Sequence, residues 1–295
     1  MALVTCAEYP DGHADDIALL APLADLGLDA TFTVWDDSGV EWDRFDLVVL
    51  RSTWDYPLRR DEFLAWAESV RTLANPAPAV RWSSDKRYVR DLAAADAPCV
   101  PTSFVEPGAT ADDVAEAIAN VARTAARFVV KPSIGAGSVD AGRFESADPA
   151  SVDIAVKHAT ALVDDGRTAM VQPYLDGVDV SGETALIYIG GEFSHAIRKE
   201  ALLSGAPTDV DGLFVEEQTS PIMPTDDALA AGEAVLAAAP VECGDLLYAR
   251  VDLLPDAGGH PLLLELELVE PSLFLGEWPG AAERFAAVIA ERCRG

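Results

Sequence analysis

Runs of apolar residues and amphipathic stretches alternate along the first third of the chain. Ala2-Leu3-Val4-Thr5 reads as a short strand, apolar residues then recur at helical spacing from Ala14 to Leu26, and Thr31 to Trp35 reads as a second strand. Phe45-Asp46-Leu47-Val48-Val49-Leu50 is a short buried-strand run, followed by an amphipathic helix from Arg60 to Leu73. Such alternation predicts an α/β unit with a parallel sheet, which places ligands beyond the C-terminal ends of its strands. Asn75-Pro76 and Pro78 interrupt the pattern and mark a boundary.

Past that boundary, Ser83-Ser84-Asp85 offers a helix N-cap before Lys86 and Arg87. Ala111 to Arg123 is helical in pattern, Phe128 to Lys131 a strand, Ser151 to Val163 a helix and Met170 to Pro173 a strand. After Tyr174-Leu175 the regime changes. Hairpins are expected around Gly190-Gly191 and Gly258-Gly259, with a helix near Asp226 to Ala238 between them and a last helix from Ala281 to Arg292.

The second hairpin carries the first chemical signal. If Gly258-Gly259 form a two-residue turn, partner positions sum to a constant and Asp252 falls opposite Glu265. Glu267 shares that face, because positions two apart line one side of a strand. Like charges directly opposite are destabilising, so the arrangement calls for a cation. Hard oxygen ligands favour magnesium, and magnesium suggests a nucleotide. On these residues alone a solvated strand face competes with that reading, since acids abound in this chain.

The same counting in the first hairpin puts Glu183 opposite Arg198, with Lys199 on the other face. That pair is either a structural cross-strand contact or a ribose-binding carboxylate beside a phosphate-binding guanidinium. Arg198 is preferred over Lys199 for its planar fork. His195 then shares a face with Leu186, Tyr188 and Phe193, which favours a packed histidine over a general base. Lys131 ends a strand and leads into Pro132-Ser133-Ile134-Gly135-Ala136-Gly137-Ser138, a loop whose amides can approach phosphate oxygens. An ordinary strand-end loop would look the same, and the spacing is that of neither a P-loop nor a dinucleotide fingerprint. Arg51-Ser52-Thr53-Trp54-Asp55-Tyr56 sits at a strand end with both charge signs, as a substrate surface would: Arg51 for an anion, Asp55 for a cation, Ser52 and Thr53 between them. A surface loop with a local Arg51–Asp55 pair is the alternative.

The chain has 295 residues, ample for two or three packed units, and a formal charge of −29. That charge argues against nucleic-acid partners and anionic membranes, because both demand clustered cations. It leaves room for a small anion such as ATP where local cations and metal override the global field. Half the residues are hydrophobic, yet no run approaches a membrane span. Cys6, Cys99, Cys243 and Cys293 lack metal-type spacing, and the N-terminus starts on a strand without a secretory leader, so a cytoplasmic protein with reduced thiols is expected. The oligomeric state stays open, a homodimer included. Only Lys86, Lys131, Lys157 and Lys199 are lysines, which makes each one's position informative.

In order and spacing, Lys86, Val129-Val130-Lys131-Pro132 with its glycine loop, Val171-Gln172-Pro173-Tyr174-Leu175, Arg250-Val251-Asp252 and Glu265-Leu266-Glu267 resemble the ATP-grasp superfamily. Spacing is nearest the glutathione synthetase and D-alanine–D-alanine ligase branches. The resemblance implies an ATP-grasp fold behind an N-terminal parallel-sheet domain: residues 1–82 as that domain, 83–174 as a central lobe with a mobile glycine-rich lid, and 175–295 as the C-terminal lobe. It implies that ATP lies between the two lobes with Lys86 and Lys131 on its phosphates, beneath Gly135, Gly137 and Ser138. Gln172, Tyr174 and Leu175 would form the adenine hinge, Glu183 would hold the ribose, and Asp252, Glu265 and Glu267 would bind Mg2+. Those branches usually carry Asn where this chain has Glu267, which adds charge to the metal site.

A narrower resemblance rests on Arg51 to Tyr56, Arg81-Trp82, Phe193 to Lys199, and Glu270-Pro271-Ser272-Leu273-Phe274. These look like an actinobacterial-type ATP-grasp group that includes an antibiotic-forming O-ureido-D-serine cyclo-ligase. The chemistry implied is phosphorylation of an amino-acid-like carboxylate by ATP, then attack on the acyl phosphate by a nitrogen of the same molecule. Arg250, two residues before Asp252 and on the metal face, would steady the tetrahedral oxyanion, with Arg198 on the triphosphate. Intermolecular carboxylate–amine ligation, a non-catalytic nucleotide-binding protein and a simple kinase are the rival expectations.

Overall fold

The computed structural model describes residues 1–200 and 218–294, and its three sheets follow one another along the chain. Strands β1 (Ala2–Thr5), β2 (Thr31–Val34), β3 (Val48–Leu50) and β4 (Leu73–Ala74) form a parallel sheet in the order β2-β1-β3-β4. β1 and β3 are buried throughout, as continuous apolar runs in a covered parallel sheet should be. Two expected helices are shorter than their periodicity suggests. The first is split into Ala14–Ile17 and Leu20–Asp25, with Pro22 in the first turn of the second piece, where a missing N–H is tolerated. The other ends at Ser69, because Val70 turns extended and frees Leu73–Ala74 to pair with β3. At the boundary marked by Asn75-Pro76 and Pro78 a helix begins, Ala77–Ser83, with Pro76 as its N-cap.

The central sheet is antiparallel: β5 (Ser103–Val105), β6 (Arg127–Pro132), β7 (Gly142–Glu145) and β8 (Ala169–Pro173), in the order β5-β8-β6-β7. Helices Ala111–Ala122 and Pro149–Asp164 pack against it around Val114, Ile118, Phe128, Leu162 and Val171. The first of these starts at a capping box, in which Thr110 accepts from the Asp113 amide and Asp113 accepts from the Thr110 amide.

The last sheet is also antiparallel, in the order β11-β10-β9-β12-β13, from β9 (Glu183–Ile189), β10 (Glu192–Lys199), β11 (Thr219–Ile222), β12 (Tyr248–Pro255) and β13 (Pro261–Glu267). Alternation along β9 divides its residues between two cores. Leu186 and Tyr188 pack with Val235 of helix Asp226–Ala238 and with Tyr88 and Leu92. Ile187 and Ile189 pack with Phe285 and Ile289 of helix Ala281–Arg294, in a cluster that also takes in Leu3, Leu19, Leu23 and Val49. The first and last sheets thus share one core, while the central sheet keeps its own. Among the described residues no helix is long and apolar enough to cross a membrane.

Candidate active site

Two β-bulges set the chemistry of the last sheet. In the β9–β10 hairpin, pairing starts as the two-glycine turn dictates, with Phe193 opposite Tyr188, then slips by one residue at Ser194. Glu183 therefore faces Lys199, and Arg198 faces Thr184. This reverses the expected choice. Lys199 is buried and lines the main cavity, whereas Arg198 donates to the Val180 carbonyl outside it at 2.8 Å. Gly182 makes the crossover possible: at φ +68° a side chain there would sit 2.5 Å from the Lys199 carbonyl oxygen.

The β12–β13 hairpin reaches the expected partners by another route. Its turn is wider than Gly258-Gly259, with Pro255 opposite Pro261 and the Asp256 amide donating to the His260 carbonyl. A bulge at Leu264 then shifts the register back, so Asp252 does fall opposite Glu265, and Arg250 opposite Glu267. Two departures from the simple hairpin cancel.

The cavity lies where the sheets meet. Lys86, Lys131, the loop residues Gly135, Ala136, Gly137 and Ser138, and the segment Gln172 to Leu175 line the side of the central sheet. Glu183, Lys199, Arg250, Asp252, Glu265, Glu267, Glu270 and Ser272 line the other, and Trp54 and Tyr56 reach in from the first sheet. Three of the chain's four lysines face this one space. Lys86 donates to the Gly135 carbonyl at 2.6 Å and pairs with Glu265 at 2.8 Å, which ties the glycine loop to the carboxylate hairpin. Gln172 is buried and bonds Thr102, so its side chain is occupied by packing. Tyr174 donates to Asp179, with Arg127 and Arg143 over its ring.

Opposed charges hold the wall in shape. Arg250 donates to Asp252 (2.9 Å), to Glu267 and to the Ser272 carbonyl, and Lys199 bridges Asp252 (2.9 Å) and Glu183. Burial alone would raise Asp252, but Arg250 and Lys199 outweigh it and hold the carboxyl below the usual range. For Glu265 burial is likewise outweighed, by Lys86 and Lys131. Glu267 goes the other way: burial, with Glu265 and Asp252 adding to it against Arg250, pushes it up to about 7. Burial, with Lys86 and Lys199 nearby, lowers Lys131 despite Glu265 and Glu183. Among the described residues no three His, Cys or acidic side chains converge as a bound ion requires, because protein cations take up these carboxylates. The donor set, three hard carboxylates facing one cavity, nonetheless fits a divalent cation of the magnesium class.

The loop after β3 is divided differently from expectation. Arg51 is 2% exposed and turned inward, bonded to Asp16 at 2.7 Å and to the Pro271 carbonyl at 3.0 Å. Ser52 also donates to Asp16, Thr53 is buried, and Asp55 accepts from Trp35 at 2.9 Å. These four do not line the cavity; Trp54 and Tyr56 between and beside them do. The reason is tertiary. Asp15 accepts the amides of Leu273, Phe274 and Leu275 while Arg51 holds Pro271, so this cluster clamps the 270–275 loop, in which Phe274 adopts φ +53°.

His195 is packed, as expected, but on the opposite face. The bulge sets it opposite Ile187, where it bonds the Leu273 carbonyl at 2.8 Å and stacks on Trp278. Burial lowers its pKa to about 4. A depressed folded-state value means that the unfolded chain binds the proton more readily between pH ~6.5 and ~4. Stability from this group is complete above pH ~6.5 and falls by about 3 kcal/mol as pH drops towards 4. Urea midpoints across that window should decline less steeply in His195→Gln than in the parent; equal slopes would reject the assignment.

Residues 1–75 match the family model described as the N-terminal domain of D-cycloserine synthetase DcsG. Over its whole length the chain is 39% identical to the cycloserine biosynthesis protein DcsG of Streptomyces lavendulae, of which 99% is covered. Its structure is similar to the crystal structure of D-cycloserine synthetase DcsG, with a TM-score of 0.88 and 37% identity over 99% of both chains. The fold alone extends to the ATP complex of D-alanine–D-alanine ligase from Bacillus anthracis, at a TM-score of 0.67 and 14% identity over 99% of this chain and 96% of that one. With its parallel N-terminal sheet, two further antiparallel sheets and charged cavity, the chain belongs to the D-cycloserine synthetase family of ATP-grasp ligases.

Proposed function

We propose that this chain uses ATP and Mg2+ to activate the carboxylate of O-ureido-D-serine and close it to D-cycloserine. The observation that supports this best is one cavity in which Lys86, Lys131 and Lys199 meet Asp252, Glu265 and Glu267, in a chain alike end to end to a D-cycloserine synthetase. Residues 83–174 and 175–295 serve as the lobes either side of ATP. The adenine lies along the backbone of Gln172 to Leu175, the ribose near Glu183, and the phosphates between Lys86 and Lys131 beneath the amides of Gly135 to Ser138. Mg2+ held by Asp252, Glu265 and Glu267 supplies charge neutralisation at the phosphates.

Transfer of the γ-phosphoryl group to the substrate carboxylate gives an acyl phosphate and ADP. The substrate nitrogen bonded to the side-chain oxygen then attacks the carbonyl carbon, the C–N bond forms and phosphate leaves. The ring comprises that carbon, the α-carbon that bears the ammonium group, the β-methylene, the oxygen and the nitrogen. Water then cleaves the bond between that nitrogen and the carbamoyl carbon, the nitrogen keeps a proton, and the carbamoyl group leaves as carbamate, which falls apart to carbon dioxide and ammonia. The protein's part is to position and to neutralise charge. Arg250, fixed by Asp252 and Glu267, faces the developing oxyanion, and the enclosed wall raises the effective concentration of the nucleophile.

Phosphate release from Mg-ATP, with and without O-ureido-D-serine and with products identified by mass spectrometry, tests the reading. Release that depends on this one substrate, with a cyclised product, is expected. ADP formation only after a second amine is added would replace cyclisation with intermolecular ligation.

A further inference from the structure

Glu270 stands apart from the other acids of the cavity wall that are withdrawn from solvent; Glu200, which also lines the cavity, is exposed. Glu183, Asp252, Glu265 and Glu267 each meet a lysine or arginine. Glu270 is 8% exposed and faces the same space, yet its carboxylate makes no hydrogen bond or ion pair with any described residue. Its backbone is fixed on every side: Trp54 donates to its carbonyl at 3.1 Å, Arg51 holds the next carbonyl, and Arg250 holds the one after that. A carboxylate held firmly in place, open only to the cavity and given no partner by the described residues, points to a partner that arrives from outside.

The neighbours define that partner. Glu267 and Glu265 add negative charge around Glu270 and Lys86 and Arg250 partly offset it, but those two cations are already paired with Glu265, Asp252 and Glu267, so the Glu270 carboxylate draws in a further cation. The aromatic side chains of Trp54 and Tyr56 share this part of the wall, a setting suited to an organic ammonium. Glu270 also follows Glu267 by three residues, which places it beside the proposed phosphoryl-transfer centre. An amino-acid substrate carries its ammonium and its reacting carboxylate on the same carbon, so the group that holds one must lie close to where the other reacts.

We infer that Glu270 is the specificity residue for the α-ammonium group of the amino-acid substrate, with Trp54 and Tyr56 completing the subsite. The inference rests on the amino-acid ligase reading above. A carboxylate–ammonium contact in a desolvated wall is worth roughly 10- to 100-fold in substrate affinity. The residue binds rather than activates, so the effect belongs in the substrate KM.

The test compares O-ureido-D-serine with its analogue lacking the amino group, in the full-length enzyme and in Glu270→Gln. The parent should prefer the amino compound by roughly 10- to 100-fold in kcat/KM. In Glu270→Gln that preference should collapse through a raised substrate KM, with the ATP KM and the Mg2+ activation curve unchanged. Glu270→Asp, which keeps the charge, should retain part of the preference and serves if the Gln variant does not fold. A parent indifferent to the amino group overturns the inference. So does a Gln variant that loses both compounds equally, or one whose Mg2+ curve shifts while the preference persists. If the parent consumes ATP with another amino acid and not with O-ureido-D-serine, the proposed substrate falls. The ammonium preference is then read on that amino acid and its desamino analogue.

Discussion

Lys199→Met should lower kcat/KM for the ligase reaction roughly 10²- to 10³-fold, while Arg198→Met stays within about twofold of the parent. The contrast follows from the bulge at Ser194, which turns Lys199 into the cavity and Arg198 away from it. Lys199 bridges Glu183 and Asp252, and in the proposed reaction it is one of the few cations available to charge that builds on the phosphates. A methionine of similar length keeps the packing and removes only the charge. Part of the loss will be structural, because the half-buried Glu183 loses its contact with Lys199, whereas Asp252 keeps Arg250. Thermal unfolding measured beside steady-state phosphate release separates the two contributions. A dead Arg198 variant beside an active Lys199 variant would mean that the strand pairs without its bulge.

Arg51→Met should destabilise the protein by about 3–5 kcal/mol, the range for breaking a buried ion pair by removing one partner. The guanidinium lies over the rings of Tyr248 and Phe285, at 5.5 and 5.8 Å, and its loss strands Asp15 and Asp16 without their cation. Those aspartates connect it to catalysis, since Asp15 receives three successive amides of the 270–275 loop. The loop carries Glu270 and the Ser272 carbonyl that orients Arg250, so KM values for ATP and for the carboxylate substrate should worsen together. Urea unfolding and the two KM values provide the check. A rise in the substrate KM alone, at unchanged stability, would return Arg51 to the substrate.

Local pattern carried the sequence reading a long way and failed at identifiable places. Helices such as Asp226–Ala238 and strands such as β6 were legible because their signals lie within one turn or one run of residues. The Ser194 and Leu264 bulges were not, since neither position carries a glycine or any other local mark. Counting back from a turn assumes an unbroken ladder. In one hairpin that assumption chose the wrong cation; in the other a wider turn compensated, and the acid pair came out unchanged. Arg51 misled for a different reason. Its partners Asp16 and Pro271 lie 35 and 220 residues away, so nothing nearby distinguishes a buried clamp from an exposed hook. A usable signal for Lys199 did exist in the scarcity of lysine, given that three of the four converge on the cavity. The Glu267 charge that departs from the related branches is met by Arg250, a pairing visible only once β12 and β13 are in register.

The core shared by the first and last sheets bears on how the protein is made. Leu3, Leu19, Leu23 and Val49 are covered by Phe285 and Ile289, so one face of the opening sheet stays bare until nearly the whole chain has been synthesised. At ordinary translation speeds that exposure lasts on the order of tens of seconds. The central sheet closes its own core from residues between Val105 and Val171 and can fold while the ribosome is still at work. The nascent chain therefore carries a finished middle and an unfinished beginning, and a fragment ending near residue 75 would present an aggregation-prone surface in place of a stable domain.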